Sequence, residues 1–340
     1  MNGMKRVKMF PWTLIPLALW IVLAGALLPG SAAAIVIENA ASAYTNGNGS
    51  DGGSITISGV AVPAGNFRAI VVVGSGWNND SGSSHALNAT WKGAAMTRLA
   101  TNGRQAGSGQ WVQSALFYYY LGSGAADSGN VVVSYTRDCD RKGTKVYVLS
   151  GLEDQGASTP STSNNGYLGT TTALALTATR DNSLVISGAG GEPSGNPTGN
   201  SLVTDWQWSS NIGFGAGHQF INTGAFSHSW AFTQQADYGA VASVFRPAAF
   251  TVTFDANGGT APSPASITVL YGATYGTVAS TSRTGYDFAG WWTAASGGTQ
   301  VTVSTAVDIT ADQTLYAHWT DSTPPTGSLQ IDSNAAYATS

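Results

Sequence analysis

The chain has 340 residues, of which 43% are hydrophobic and only 9% charged, with 43 glycines and a formal net charge of −4. A mildly acidic chain lacks the basic footprint that nucleic acid requires, and no dense basic patch suits anionic lipid. Glu, Lys, Arg and Leu, which clothe long helices, are scarce, so the composition points to a hydroxyl- and amide-rich β-protein.

Lys5, Arg6 and Lys8 precede an apolar, uncharged run over 12–28, and Ala32-Ala33-Ala34 supplies small residues for cleavage. This predicts a secretory signal peptide over 1–34, with an uncleaved membrane anchor as the other reading. No later run is long and apolar enough to span a bilayer. Cleavage leaves 340 less 34, or 306 residues, which suits about two domains. The basic count falls from 14 to 11 against 18 acidic residues, a net −7. Cys139 is the only cysteine, so no internal disulfide is expected and core burial must hold the fold.

From 35 to 247, short β-type runs alternate with turn residues. The clearest are 69–73 (AIVVV), 112–121 (VQSALFYYYL), 130–136 (NVVVSYT) and 144–149 (TKVYVL). Others are 172–179 (TALALTAT), 183–187 (SLVIS), 227–232 (SHSWAF) and 239–245 (GAVASVF). β-branched and aromatic residues fill them, and Gly, Asn, Asp and Ser separate them. Leu174 and Leu176 alternate with small residues, which predicts one buried face, whereas LFYYYL is apolar on both. Polar loops are predicted over 74–88, 102–110, 154–169 and 190–205. The pattern predicts a mainly β fold, an antiparallel β-sandwich or jelly-roll-like domain over 35–247. Segments at 69–74, 91–97 (WKGAAMT), 117–121, 131–133, 148–152 (VLSGL) and 239–247 are together similar to a β-sandwich module of secreted bacterial proteins. That resemblance implies a concanavalin- or immunoglobulin-like sandwich with no catalytic residues to carry over.

Arg246-Pro247-Ala248-Ala249 is the predicted boundary, because proline lacks a ladder donor. Beyond it come FDANGG (254–259), YGATYG (271–276), RTGYDFAGW (283–291), GGT (297–299) and TLYAHW (314–319). In this order they resemble the Listeria–Bacteroides repeat, an internalin B-repeat-like module, over 250–320. The resemblance implies a small β-grasp-like module used in surface stalks and adhesins. Strands are predicted at 251–254, 267–271, 300–303 and 314–319, with Tyr286, Phe288, Trp291, Tyr316 and Trp319 as its core. The segment 321–340 resembles the start of a bacterial Ig-like domain, with Pro324-Pro325 as a hinge. It predicts that the sequence is a fragment of a longer modular protein, with any C-terminal anchor in the missing part.

Signals for chemistry are weak. There is no G-x-S-x-G nucleophile motif, and the four histidines His85, His218, His228 and His318 sit in no catalytic pattern. Beyond residue 34 the glutamates are Glu38, Glu153 and Glu192, in no glycosidase arrangement. Asp138-Cys139-Asp140 and Asn78-Asn79-Asp80 each offer oxygens for calcium, but calcium takes six to eight. A polar turn is the plainer reading, Asp138 and Asp140 remain weak metal candidates, and no cofactor other than calcium is considered.

Binding rests on aromatics. Trp77, Trp111, Trp206, Trp208 and Trp230 fall in or near predicted loops and outer strands. An extended Trp206-Gln207-Trp208 would put both indoles on one face, as a glycan platform needs. Core filling is the competing role. The sequence thus predicts a secreted or cell-surface, non-catalytic modular protein for adhesion, display or recognition. Its expected partner is a glycan or a host or cell-surface protein, with no nucleic acid and no membrane beyond the signal peptide. The alternatives are a carbohydrate-binding portion of a larger glycan-degrading enzyme, or a sandwich that is itself a glycosidase or lyase.

Overall fold

The computed structural model describes residues 35–46, 53–78, 86–105, 111–136, 139–192, 197–209 and 212–324. The predicted signal peptide, the tail 325–340, His85, Asp80 and Asp138 lie outside them. The fold is nearly all β, with several antiparallel sheets. One 3-10 turn, Gly156–Ser158, is the only helical segment among the described residues.

The central sheet has the order β1 (Val36–Asn46), β9 (Arg141–Ser150), β3 (Gly65–Asn78), β7 (Trp111–Gly124), β6 (Thr97–Gln105), antiparallel throughout. Both of its faces are buried. Ile70, Val72, Phe117, Val146 and Val148 point to one side. Ala69, Val71, Val73, Leu116, Tyr118, Tyr147 and Leu149 point to the other. This accounts for the unbroken apolar runs in β3, β7 and β9, since a strand covered on both faces has no polar alternation. Full burial of each aliphatic side chain contributes about 1.5–3 kcal/mol.

On the first face lies the sheet β2 (Ser54–Val62), β8 (Asp127–Tyr135), β4 (Leu87–Trp91), β5 (Ala94–Ala95). It has one solvent face, and β2 alternates buried Ile55 and Ile57 with exposed neighbours. On the second face lies β10 (Ser161–Ala178), β15 (Gly224–Phe245), β11 (Ser183–Glu192), β14 (Gly213–Ile221), β13 (Val203–Ser209). The runs predicted as separate strands at 227–232 and 239–245 are one strand, β15. Its ladder with β10 is interrupted near Gly169, so 161–166 pair with 238–243 and 171–178 with 224–231. The hairpin folds over at that break. Its outer half, joined by β12 (Thr198–Asn200), packs Leu174, Leu176, Trp230 and Phe232 onto Val185, Ala189, Ala240 and Val244 of the inner half. The expected sandwich is therefore present twice over, as stacked layers with three cores between them.

Close stacking requires missing side chains. A Cβ at Gly188 of β11 would overlap Val73 Cγ1, and one at Gly143 of β9 would sit 2.9 Å from Phe214. The glycine run before Glu192, predicted as loop, is strand for this reason. The loops predicted over 74–88, 102–110, 154–169 and 190–205 shrink likewise, because β3, β6, β10 and β11 extend into them.

The repeat is a mixed sheet, β17 (Ser266–Leu270), β16 (Ala249–Asp255), β20 (Gln313–Asp321), β18 (Tyr286–Trp292), β19 (Gln300–Val301), with β16 and β20 parallel. The mixed sheet agrees with a β-grasp-like module, but its covering segment, 271–285, consists of turns and isolated bridges and is not helical. Trp291 is the fully buried centre, packed with Val252, Phe254, Leu315 and Val307, and Trp319 is packed against it. Phe288 is 40% exposed, and Tyr286 and Tyr316 are half-buried. The expectation that these three form the core fails because Tyr316 alternates with the inward Leu315 and Ala317, while Tyr286 and Phe288 sit at the sheet's outer end.

The repeat joins the sandwiches at one end of the strands. Phe67 adopts φ 55°, at a register break in β3, and turns its ring onto Tyr271 at 4.9 Å and Phe250 at 5.6 Å. Asn66 Nδ2 donates to Tyr271 Oη at 3.1 Å. Backbone bonds from Tyr271 N to Ala248 O and from Ala248 N to Gly151 O, both 2.9 Å, complete the join. A left-handed non-glycine residue costs about 1–2 kcal/mol, offset here by aromatic contact. Nearby, Glu153 accepts from Arg180 and from Arg246, which ties the β10–β11 turn to the end of β15. Glu153 is thus a structural carboxylate.

Candidate functional site

The opposite end of the strands gathers the aromatic candidates. Trp77, at the far end of β3, lies opposite Arg141, and Asn78 lies opposite Trp111. Phe67 and Trp77 are ten residues apart, or about 33 Å along an extended strand. The ends of β1, β3, β6, β8, β11 and β13 all fall on the Trp77 side.

Trp77 and Trp206 there are packing residues. Trp77 is 8% exposed and clusters with Val112, Ile212 and Phe214, while its Nε1–H donates to Glu192. Trp206 is half-buried against the same cluster and covers Gly143. Trp111 is half-buried, and its indole nitrogen is buried without a partner among the described residues. Trp208 lies opposite Phe214 in the ladder, and its side chain is outside the described residues. Trp230 is fully buried. Trp206 and Trp208 keep regular alternation in the ladder, but a β-bulge between Thr204 and Trp206 turns the Trp206 indole inward, where it is half-buried and not exposed as a platform needs. A bulge re-aims side chains. Here both Asp205 and Trp206 reach toward the central sheet, at Tyr147 and Gly143.

The bulge creates a polar cluster that the sequence did not suggest. Asp205 accepts from Tyr147 Oη at 2.7 Å, and His218 Nδ1 lies 2.7 and 2.9 Å from its two oxygens. Lys145, 7% exposed, lies over the Tyr147 ring at 5.7 Å. Burial lowers the Lys145 pKa and raises that of Tyr147 well above its ordinary value, the latter reinforced by the Asp205 charge. Asp205 fixes the imidazole as in a catalytic pair, but Nε2 meets no hydroxyl or thiol among the described residues. The cluster so arranged is a polar tie between β9, β13 and β14.

A carboxylate pair stands beside Trp77. Glu192 is directly opposite Asp237 in the β11–β15 ladder. Burial raises the Glu192 pKa, the Trp77 hydrogen bond lowers it, Asp237 raises it and Arg141 lowers it. Asp237 is buried, so this pair does not flank an open groove of the kind glycosidic cleavage uses. Among the metal candidates, Asp138 is outside the described residues and Asp140 is half-buried. Among the described residues no three His, Cys, Asp or Glu side chains group as metal ligands.

The repeat has its own cavity, of about 290 Å³, lined by Asn257, Arg283, Ser296, Gly297, His318 and Trp319. Asn257 takes φ 46° in the FDANGG turn, and its Nδ2 donates to Ala295 O and Ala317 O. His318 donates from Nε2 to Ala294 O at 2.9 Å and stacks on Trp292 at 4.7 Å. Arg283 stacks over Tyr286 at 3.8 Å. These are the positions of the repeat's motifs. Residues 250–318 match the Listeria-Bacteroides repeat domain. The repeat is found in bacterial surface proteins, which fits a surface-protein role for the chain. No curated protein and no solved structure matches the chain. Among the described residues no helix is long and apolar enough to cross a membrane.

Proposed function

We propose that this is a secreted or cell-surface bacterial protein with a non-catalytic recognition role, in which the sandwiches form a head and the repeat a spacer. The carrying observation is polarity along the strands. The repeat docks through Phe67, Phe250 and Tyr271 at one end, and six strands end at the other. A head built this way holds its connecting loops away from the spacer, on a rigid scaffold suited to binding. Its partner is a glycan or a surface protein, and no cofactor is needed.

The test is site-directed masking. In a Cys139→Ala background, Asn88→Cys at the loop-bearing end or Ser123→Cys at the repeat end is coupled to polyethylene glycol. Binding of bead-displayed chain to a printed glycan array and to cultured epithelial cells is then measured. Masking at position 88 should abolish binding and masking at position 123 should not. Equal loss at both positions, or binding to neither surface, would overturn the proposal.

A further inference from the structure

We propose that the cavity of the repeat, built by Arg283, Asn257, Ser296 and His318, binds the carboxylate of an acidic sugar. Arg283 is the only Lys or Arg in 250–324, against five aspartates. No carboxylate among the described residues lies within ion-pair distance of it and it donates no hydrogen bond there, although Asp321 is near enough to feel its charge. Its face is held by Tyr286 at 3.8 Å, a stack that uses none of its in-plane N–H donors. A planar fork of donors matches a carboxylate in two parallel bonds.

The remaining lining argues for a sugar over an acidic side chain. Asn257 Nδ2 is committed to two carbonyl oxygens, at 3.1 and 2.9 Å, and its Oδ1 accepts nothing among the described residues. His318 Nε2–H donates to Ala294 O, and in that tautomer Nδ1 is an acceptor. Ser296 adds an exposed hydroxyl. Two acceptors and a hydroxyl beside one guanidinium complement a group bearing both hydroxyl donors and a carboxylate. An Asp or Glu side chain supplies only the second. The depression, of about 290 Å³, opens to solvent, with room for one sugar ring lying against the surface.

The whole chain, isotope-labelled, is titrated by NMR with sodium glucuronate, glucose, sodium acetate and N-acetyl-glutamate amide. Glucuronate should shift the Arg283 Nε–H and the Ser296 and Gly297 amides saturably, tighter than acetate, with glucose giving no saturable shift. Arg283→Gln should weaken binding at least about tenfold. Ser296→Asp, at an exposed position, places a carboxylate beside Arg283 without removing its stack on Tyr286, and should abolish binding with the unfolding temperature retained. Glucose binding as tightly as glucuronate, or unchanged binding in both variants, would overturn the proposal. Tighter binding of the glutamate probe would overturn it in favour of an acidic peptide.

Discussion

His228 should make the stability of the head depend on pH in a defined window. It lies in the outer half of β15, 3% exposed, with Nε2 2.8 Å from Ser187 Oγ and Nδ1 buried without a partner. Ser187, on the inner layer, also accepts from Trp230 Nε1 at 2.9 Å and donates to Val241 O at 2.9 Å. Burial depresses the His228 pKa from 6.5 to about 4. The native fold therefore favours the neutral ring, while the unfolded chain protonates first as pH falls. Stability from this site is complete above the unfolded value and is lost as pH drops through 6.5 toward about 4. The full difference corresponds to about 3 kcal/mol, and roughly 2.5 kcal/mol of it is gone at about pH 4.5. Urea unfolding of the unmodified chain and of His228→Phe should be compared at about pH 7.5 and 4.5. The acid-induced loss should be smaller in the variant by about that amount, since other titrating groups cancel in the difference. Equal acid-induced losses in the two proteins would refute a buried neutral His228.

Gly188→Ala should destabilise the head by about 1–3 kcal/mol, read by denaturant midpoint, because its Cβ meets Val73 in the closed inter-sheet core. An unchanged midpoint would mean the layers separate without cost. Tyr147→Phe should cost about 1 kcal/mol and Asp205→Ala about 2–4 kcal/mol, since the latter strands Tyr147, His218 and Lys145 together. Similar losses in the two variants would show that Asp205 does no more than accept from Tyr147. Phe67→Ala should leave the far-ultraviolet spectrum intact but speed protease cleavage near 246–249, as the aromatic clasp on Phe250 and Tyr271 is lost. Unaltered cleavage would place the strength of the join in the backbone bonds alone.

Much of the scaffold was legible because the central strands are apolar on both faces, and such runs stand out in any hydropathy reading. The repeat was legible through its motif order, which keeps glycines at left-handed turns and Trp291 at the centre. The fold-over of β10 and β15 was not, since the polar stretch 233–237 inside β15 looks like a turn between two strands. β14, GFGAGHQFI, was hidden by its glycines, of which Gly215 leaves room for Trp230 of the outer layer and Gly217 for the backbone of β13. At the candidate site, tryptophan content suggested a surface, whereas one bulged residue at Asp205 decided which way Trp206 points. No local pattern encodes that choice, because it depends on the register of β13 against β14. The Arg283 pocket was equally invisible, being assembled from four separate segments.

The docking of the repeat at one end of long antiparallel strands has a mechanical consequence. Tension between the loop-bearing end and the repeat runs along β3, β7 and β9, so their ladder bonds are loaded side by side in shear and must give way together. Tension between Ile35 and Phe250 acts instead at two points on the same end, beside Ser150 and Phe67. There the bonds of β1 to β9 would open one after another, as in a zipper. The same fold is thus stiff along one axis and yielding along another, and the stiff axis is the one that a held ligand would pull.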